Sequence, residues 1–156
     1  MNQLKLSTAN LVILIAGAVM LIASFLDFTK AKATVTFGDI TIHVSTGGGN
    51  AWSSGRFLIA TIPALLGIVM AAHVAVDAFA SGVKPPENVL GLNWNQIHLV
   101  LGLQATIMML AFLIQSTSPL DKGIGLFLML LAAIALLVGA VLRMQEPASG
   151  SAPPAV

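Results

Sequence analysis

The stretch Phe57-Leu58-Ile59-Ala60-Thr61-Ile62-Pro63-Ala64-Leu65-Leu66-Gly67-Ile68-Val69-Met70-Ala71-Ala72-His73-Val74-Ala75-Val76-Asp77-Ala78-Phe79 holds one carboxylate and no other formal charge. A helix rises about 1.5 Å per residue, so about 20 mainly apolar residues match a hydrocarbon layer about 30 Å thick. This segment is long enough to cross, and it is apolar on nearly every side, as a helix solvated by lipid is.

Working outward, three more segments meet the same test: residues 9–28, 97–114 and 124–142. All four, the quoted 57–79 included, are bounded by charged, Gly/Pro-containing or Asn-rich stretches. The expectation is an all-α membrane protein, a four-transmembrane-helix bundle over residues 1–145. The tail 146–156 is too small and polar to bury a core and is expected to be disordered.

Composition points the same way. Hydrophobic residues make up 57% of the 156 and charged residues only 8%, with a mean hydropathy of +0.95, where soluble domains carry about 25% charged residues. Net charge is +1 and the Lys and Arg residues are scattered singly, which leaves no electrostatic footprint for nucleic acid. Cysteine is absent, excluding disulfides, thiolate catalysis and zinc-cysteine sites.

The first segment has a rival reading as a signal peptide, with Lys5 ahead of it and Ala31-Lys32-Ala33 as a small-x-small cleavage site. Its apolar run is longer than the usual signal core and has the length of a span. Small residues recur at four-residue spacing as Ala60/Ala64, Gly67/Ala71/Ala75, Gly102/Thr106 and Ala135/Gly139, which predicts close helix contacts. Pro63 is expected to kink its span, because it removes a backbone donor.

Within the long loop 27–56, residues 34–45 alternate with strand periodicity around Gly38-Asp39. Glycine at the first of two loop residues suits a type II′ turn and predicts a β-hairpin in this first extramembrane loop. Pairing Phe37 with Ile40 and Val35 with Ile42 gathers Val35, Phe37, Ile40, Ile42 and Val44 on one face. Thr34, Thr36, Thr41, His43 and Ser45 take the other, where His43 is a solvated strand residue. An apolar hairpin face needs a cover, and the candidates are the mouth of its own helix bundle, the outer leaflet surface or a partner protein. Trp52 and Trp94 each precede a span closely and read as interfacial anchors.

The order Ser24-Phe25-Leu26-Asp27-Phe28, a β-loop, Asn50-Ala51-Trp52-Ser53 and Pro63-Ala64-Leu65-Leu66-Gly67 resembles that of small four-span membrane proteins of actinobacteria. The likeness covers most of the chain and implies the four-span architecture. A looser resemblance is to the claudin-type tetraspan arrangement, whose first extracellular loop is a small sheet followed by a Trp and Gly motif, echoed by Trp52 and Gly55. Those loops carry a disulfide, and this chain has no cysteine.

Inside the spans, His73 and Asp77 lie four residues apart on one helical face, and His98 opens the third span on the same side. An ionisable group in a span is costly enough to need a reason. Two imidazoles and a carboxylate suit a proton relay or a divalent ion, but the favoured reading is structural, hydrogen bonding between helices with Asp77 near the helix end. Gln104, deeper in the third span, reads as helix-to-helix glue.

No catalytic, nucleotide-binding, cofactor or metal motif stands out. The expected function is therefore non-enzymatic: an accessory, scaffold or assembly factor in the cell membrane, associating with other membrane proteins or with itself. The alternative is a small transporter or an ion- or proton-responsive protein using His73, Asp77 and His98. Lys5, Lys84 and Arg143 against Lys30, Lys32, Arg56 and Lys122 leave the positive-inside comparison nearly even. Lys5 and Arg143 sit tightly against span ends, which favours cytoplasmic termini and an extracytoplasmic loop 27–56.

Overall fold

The computed structural model describes residues 6–80, 86, 88–115 and 120–146, without the side chains of residues 32, 45–47 and 120. Lys5, Lys84 and the tail beyond Glu146 lie outside the described residues, and the expectation of a disordered tail lies with them.

The chain is mostly helical. Helix α1 is Thr8–Ser24, α2 Ile62–Phe79, α3 Trp94–Ile114 and α4 Ile124–Gln145. Three helical stretches, Phe57–Phe79, Trp94–Ile114 and Ile124–Gln145, are long and apolar enough to cross a membrane; α1 is apolar but shorter, with 17 residues. It closes at Ser24, four residues before its apolar stretch ends. There the Ser24 hydroxyl donates to Leu21 O (2.6 Å), and Phe28 turns inward to full burial.

The starts of α1 and α3 follow capping chemistry. Ser7 accepts the Asn10 N–H at 3.2 Å, and Asn93 with Gln96 forms a reciprocal capping box at the head of α3, satisfying donors that the first turn leaves free. Pro63 stands where the helical register changes rather than inside a run of α-helix. Residues Phe57–Thr61 form a π turn, closed by Ile62 N–H on Phe57 O, and Pro63 stands in the first turn of α2. A change from five-residue to four-residue register displaces backbone donors, and proline has none to displace.

The helices pack in a ring: α1 against α2 and α4, and α3 against α2 and α4. Small residues set the contacts. A Cβ on Gly17 would meet Ala71 Cβ at 2.3 Å and Gly67 O at 3.1 Å, so the Gly67/Ala71/Ala75 stripe faces α1. Gly102 lies against the α4 backbone at Leu137 and Gly139 against Ile13. The Thr106 hydroxyl bridges α3 to α4, lying 2.8 Å from Gly102 O and 3.1 Å from Ala133 O. Met20, Met70, Met109, Met129 and Leu136 fill the interior between them.

Strands β1 (Thr29–Phe37) and β2 (Ile40–Gly47) form the expected hairpin, longer at both arms than 34–45. Phe37 pairs with Ile40 and Val35 with Ile42. Gly38 has φ 59° and Asp39 is not among the positive-φ residues, as a type II′ turn requires. Three short strands are additions to what the sequence led us to expect. The short β3 (Asn88–Val89) and β4 (Leu92–Asn93) make a second hairpin before α3. Strand β5 (Leu120–Lys122) joins β1 on the edge away from β2, giving the order β2-β1-β5.

Candidate functional site

Two places carry chemistry, one at each end of the helical body. The first is the hairpin. Val35, Phe37, Ile40, Ile42 and Val44 are all exposed, Phe37 at 69% and Ile40 at 66%. On the opposite face the Thr34 hydroxyl contacts His43 Nδ1 at 3.3 Å across the strands. The expected separation of faces is present in the expected register.

The root of this hairpin is fastened by residues of modest sequence signal. Phe28 packs on Phe112, centroids 4.8 Å apart, while its N–H donates to Gly49 O at 3.0 Å and its carbonyl accepts from Gly123 N–H at 2.9 Å. Arg56 spreads its guanidinium over the joint, donating to Asn50 O (3.3 Å), Thr29 Oγ1 (2.5 Å) and Gly48 O. Lys122 Nζ donates to Leu113 O at the close of α3, where the last carbonyls lack helical partners. Trp52, expected as an interfacial anchor, is tied into the fold: its Nε1 donates to Ser24 Oγ (2.9 Å) and its ring stacks on Phe25 at 5.9 Å.

The second place lies at the other end, where α2 and α4 finish and α3 begins. His73, Asp77 and His98 come together, joined by two residues the sequence reading assigned elsewhere. Arg143 contacts Asp77 Oδ2 at 3.3 Å through Nη2 and His98 Nδ1 at 3.5 Å through Nη1. Trp94 stacks on His73 with centroids 3.6 Å apart, and the His98 ring stands nearly perpendicular to His73 at 4.9 Å. Trp94 Nε1 donates to Pro86 O at 2.7 Å.

A guanidinium only donates, so His98 Nδ1 is the acceptor and Nε2 carries the proton of the neutral ring. His98 is fully buried and that Nε2 has no partner among the described residues; both ring nitrogens of His73 are likewise buried without one. The arrangement holds α2, α3 and α4 to one another through one ion pair and a stack of rings. Among the described residues no group of three His, Asp or Glu side chains is disposed to hold a metal ion.

Arg143 had a readable signal: a lone cation closing the last span, at the same end as the acid of the second. Gln104 departs from its expected role. It is exposed on α3 rather than set between helices.

Compared with known proteins, the chain matches no family model, no curated protein and no solved structure.

Proposed function

We propose that this chain is a non-enzymatic integral membrane protein that crosses the bilayer four times as a helix bundle. It acts as an accessory, scaffold or assembly factor that binds partner proteins through its hairpin. The single observation that carries this reading is the fully apolar hairpin face standing exposed beyond the helical body. An exposed, contiguous apolar face on a folded element is a docking surface by its energetics, since covering each large side chain is worth about 1.5–3 kcal/mol.

The four-span part is supported by two features. The 17 residues of α1 reach about 26 Å at 1.5 Å per residue, which lies at the short end of what spans a bilayer. The β1–β5 pairing also brings the loop after α1 and the loop after α3 to one end, as alternating crossings require. We read that end as extracytoplasmic and the termini as cytoplasmic, with Arg143 on the cytoplasmic side of α4.

Ile42→Asp puts a charge at the centre of the apolar face without touching the helices. Affinity capture from mild detergent is expected to lose the native protein's principal partners in this variant; an unchanged partner set counts against the reading.

The second reading, a transporter or ion-responsive protein, draws on the convergence of His73, Asp77 and His98. Against it stands Arg143, a fixed cation already paired with the one carboxylate of the group. Proteoliposomes carrying His73→Ala or Asp77→Asn are expected to match the native protein in ion and proton flux. A loss of flux in both variants would restore the second reading.

A further inference from the structure

Gln104 sits at the middle of α3, the eleventh of its 21 residues. It is exposed, and among the described residues none hydrogen-bonds its side-chain amide. Beside it on the outward face are Val100, Ile107 and Ala111, all exposed. The outward-facing large side chains of α1 and α4, such as Ile15, Ile22, Leu131 and Val138, are hydrocarbon. Lipid satisfies those faces completely. It cannot satisfy an amide at mid-depth, which has one carbonyl and two N–H groups and no water within reach.

We propose that α3 is the interface between two copies of this chain, with Gln104 of each copy hydrogen-bonded to Gln104 of the other near the bilayer midplane. The inference rests on α3 crossing the membrane, as read above, and is independent of the hairpin. The occupant follows from chemistry and symmetry together. A primary amide is its own complement: each carbonyl accepts from the other's N–H, giving a reciprocal pair. Two copies inserted the same way are related by a two-fold axis along the membrane normal, and that operation brings any residue opposite itself at the same depth. An unrelated helix would have to carry a polar group at that depth by coincidence. The second copy supplies it without fail.

The seam has the spacing such a pair needs. Val100, Gln104, Ile107, Ala111 and Ile114 follow each other at intervals of four and three, the pattern of a left-handed crossing of parallel helices. A single polar side chain within an apolar seam fixes register and partner number. Ala111, two turns from Gln104 on nearly the same line, lets the backbones approach closely.

The chain has no cysteine, so single-cysteine variants report the contact directly. In proteoliposomes under mild oxidation, Ala111→Cys is expected to form disulfide-linked dimers, and Leu110→Cys, on the far flank of the same exposed face, is not. Adding Gln104→Leu to Ala111→Cys is expected to weaken association about tenfold, read by dilution into excess lipid; Gln104→Asn, which keeps the amide, retains part of it.

Equal cross-linking at residues 110 and 111, or dimers indifferent to Gln104→Leu, would overturn the proposal. Labelling of Gln104→Cys with a membrane-impermeant maleimide separates the two failures. A shielded residue with no dimer refutes the α3 interface alone, whereas a residue labelled from water in intact vesicles refutes the span beneath it.

Discussion

Gly123→Ala is expected to destabilise the protein by about 3 kcal/mol, the upper range for forcing an extra carbon into a packed place. A Cβ at residue 123 would lie 2.0 Å from Asp27 O and 2.6 Å from Asp27 C. Both are backbone atoms, so no side-chain rotation relieves the clash. The backbone cannot retreat cheaply either, because Gly123 N–H donates to Phe28 O and Gly125 N–H to Asp27 O, each at 2.9 Å. The substitution therefore breaks the contact that joins the end of α1 to the start of α4. Denaturant titration in detergent micelles, followed by the near-ultraviolet signal of the two tryptophans, Trp52 and Trp94, measures the loss. A change below about 1 kcal/mol would mean that the two segments are not held this closely.

The second large effect is expected at Arg56. Its guanidinium reaches three acceptors on Thr29, Gly48 and Asn50, and a hydrogen bond involving a charged group contributes about 1.5–3 kcal/mol net, less when several share one side chain. Because the side chain is partly exposed, water recovers some of that when it is removed, and Arg56→Ala is expected to cost about 2–3 kcal/mol in all. Arg56→Lys tests the geometry rather than the charge. An ammonium is a point donor without the planar fork, so lysine should recover less than half of the loss. Proteolysis at the Gly47–Asn50 segment should accelerate in both variants, more in the alanine one. Full recovery by lysine would show that charge alone matters there.

How much of this was legible beforehand varies with the kind of signal. The turn and register of the hairpin were readable, though not the length of its arms, because a turn glycine and period-two alternation specify register together; Gly38 and the Phe37–Ile40 pair stand where they were expected. The long apolar helices were readable from length and hydropathy. Their ends were less so. Phe25, Leu26 and Phe28 are apolar whether they continue a helix or fold under the sheet, and the Ser24 hydroxyl that ends α1 is held by Trp52, a contact 28 residues away in sequence.

Other features left almost no trace. Strand β5 is three residues long, too short to show alternation. The second hairpin turns on Leu90 at φ 54° and Gly91 at φ 79°. That type I′ pair usually carries Asn or Asp before the glycine, and leucine there costs about 1–2 kcal/mol of backbone strain while standing 98% exposed. The polar cluster was legible as His73, Asp77 and His98; Arg143 was signalled only as a lone cation at the same end, 66 positions from the acid it meets, and nothing pointed Trp94 at His73. The outward direction of Gln104 was hidden for a physical reason: in lipid both faces of a helix are apolar, so the pattern does not say which one a neighbour will cover.

The root of the hairpin has a mechanical consequence. Strand β1 leaves directly from the end of α1, is zipped on its far edge to the segment that opens α4, and rests through Phe28 on Phe112 near the end of α3. A load applied at the Gly38 tip cannot be absorbed by swivelling at the base. These contacts tie the strand to the end of α1, to Phe112 of α3 and to the segment before α4, so a pull on the tip would be shared among three helices.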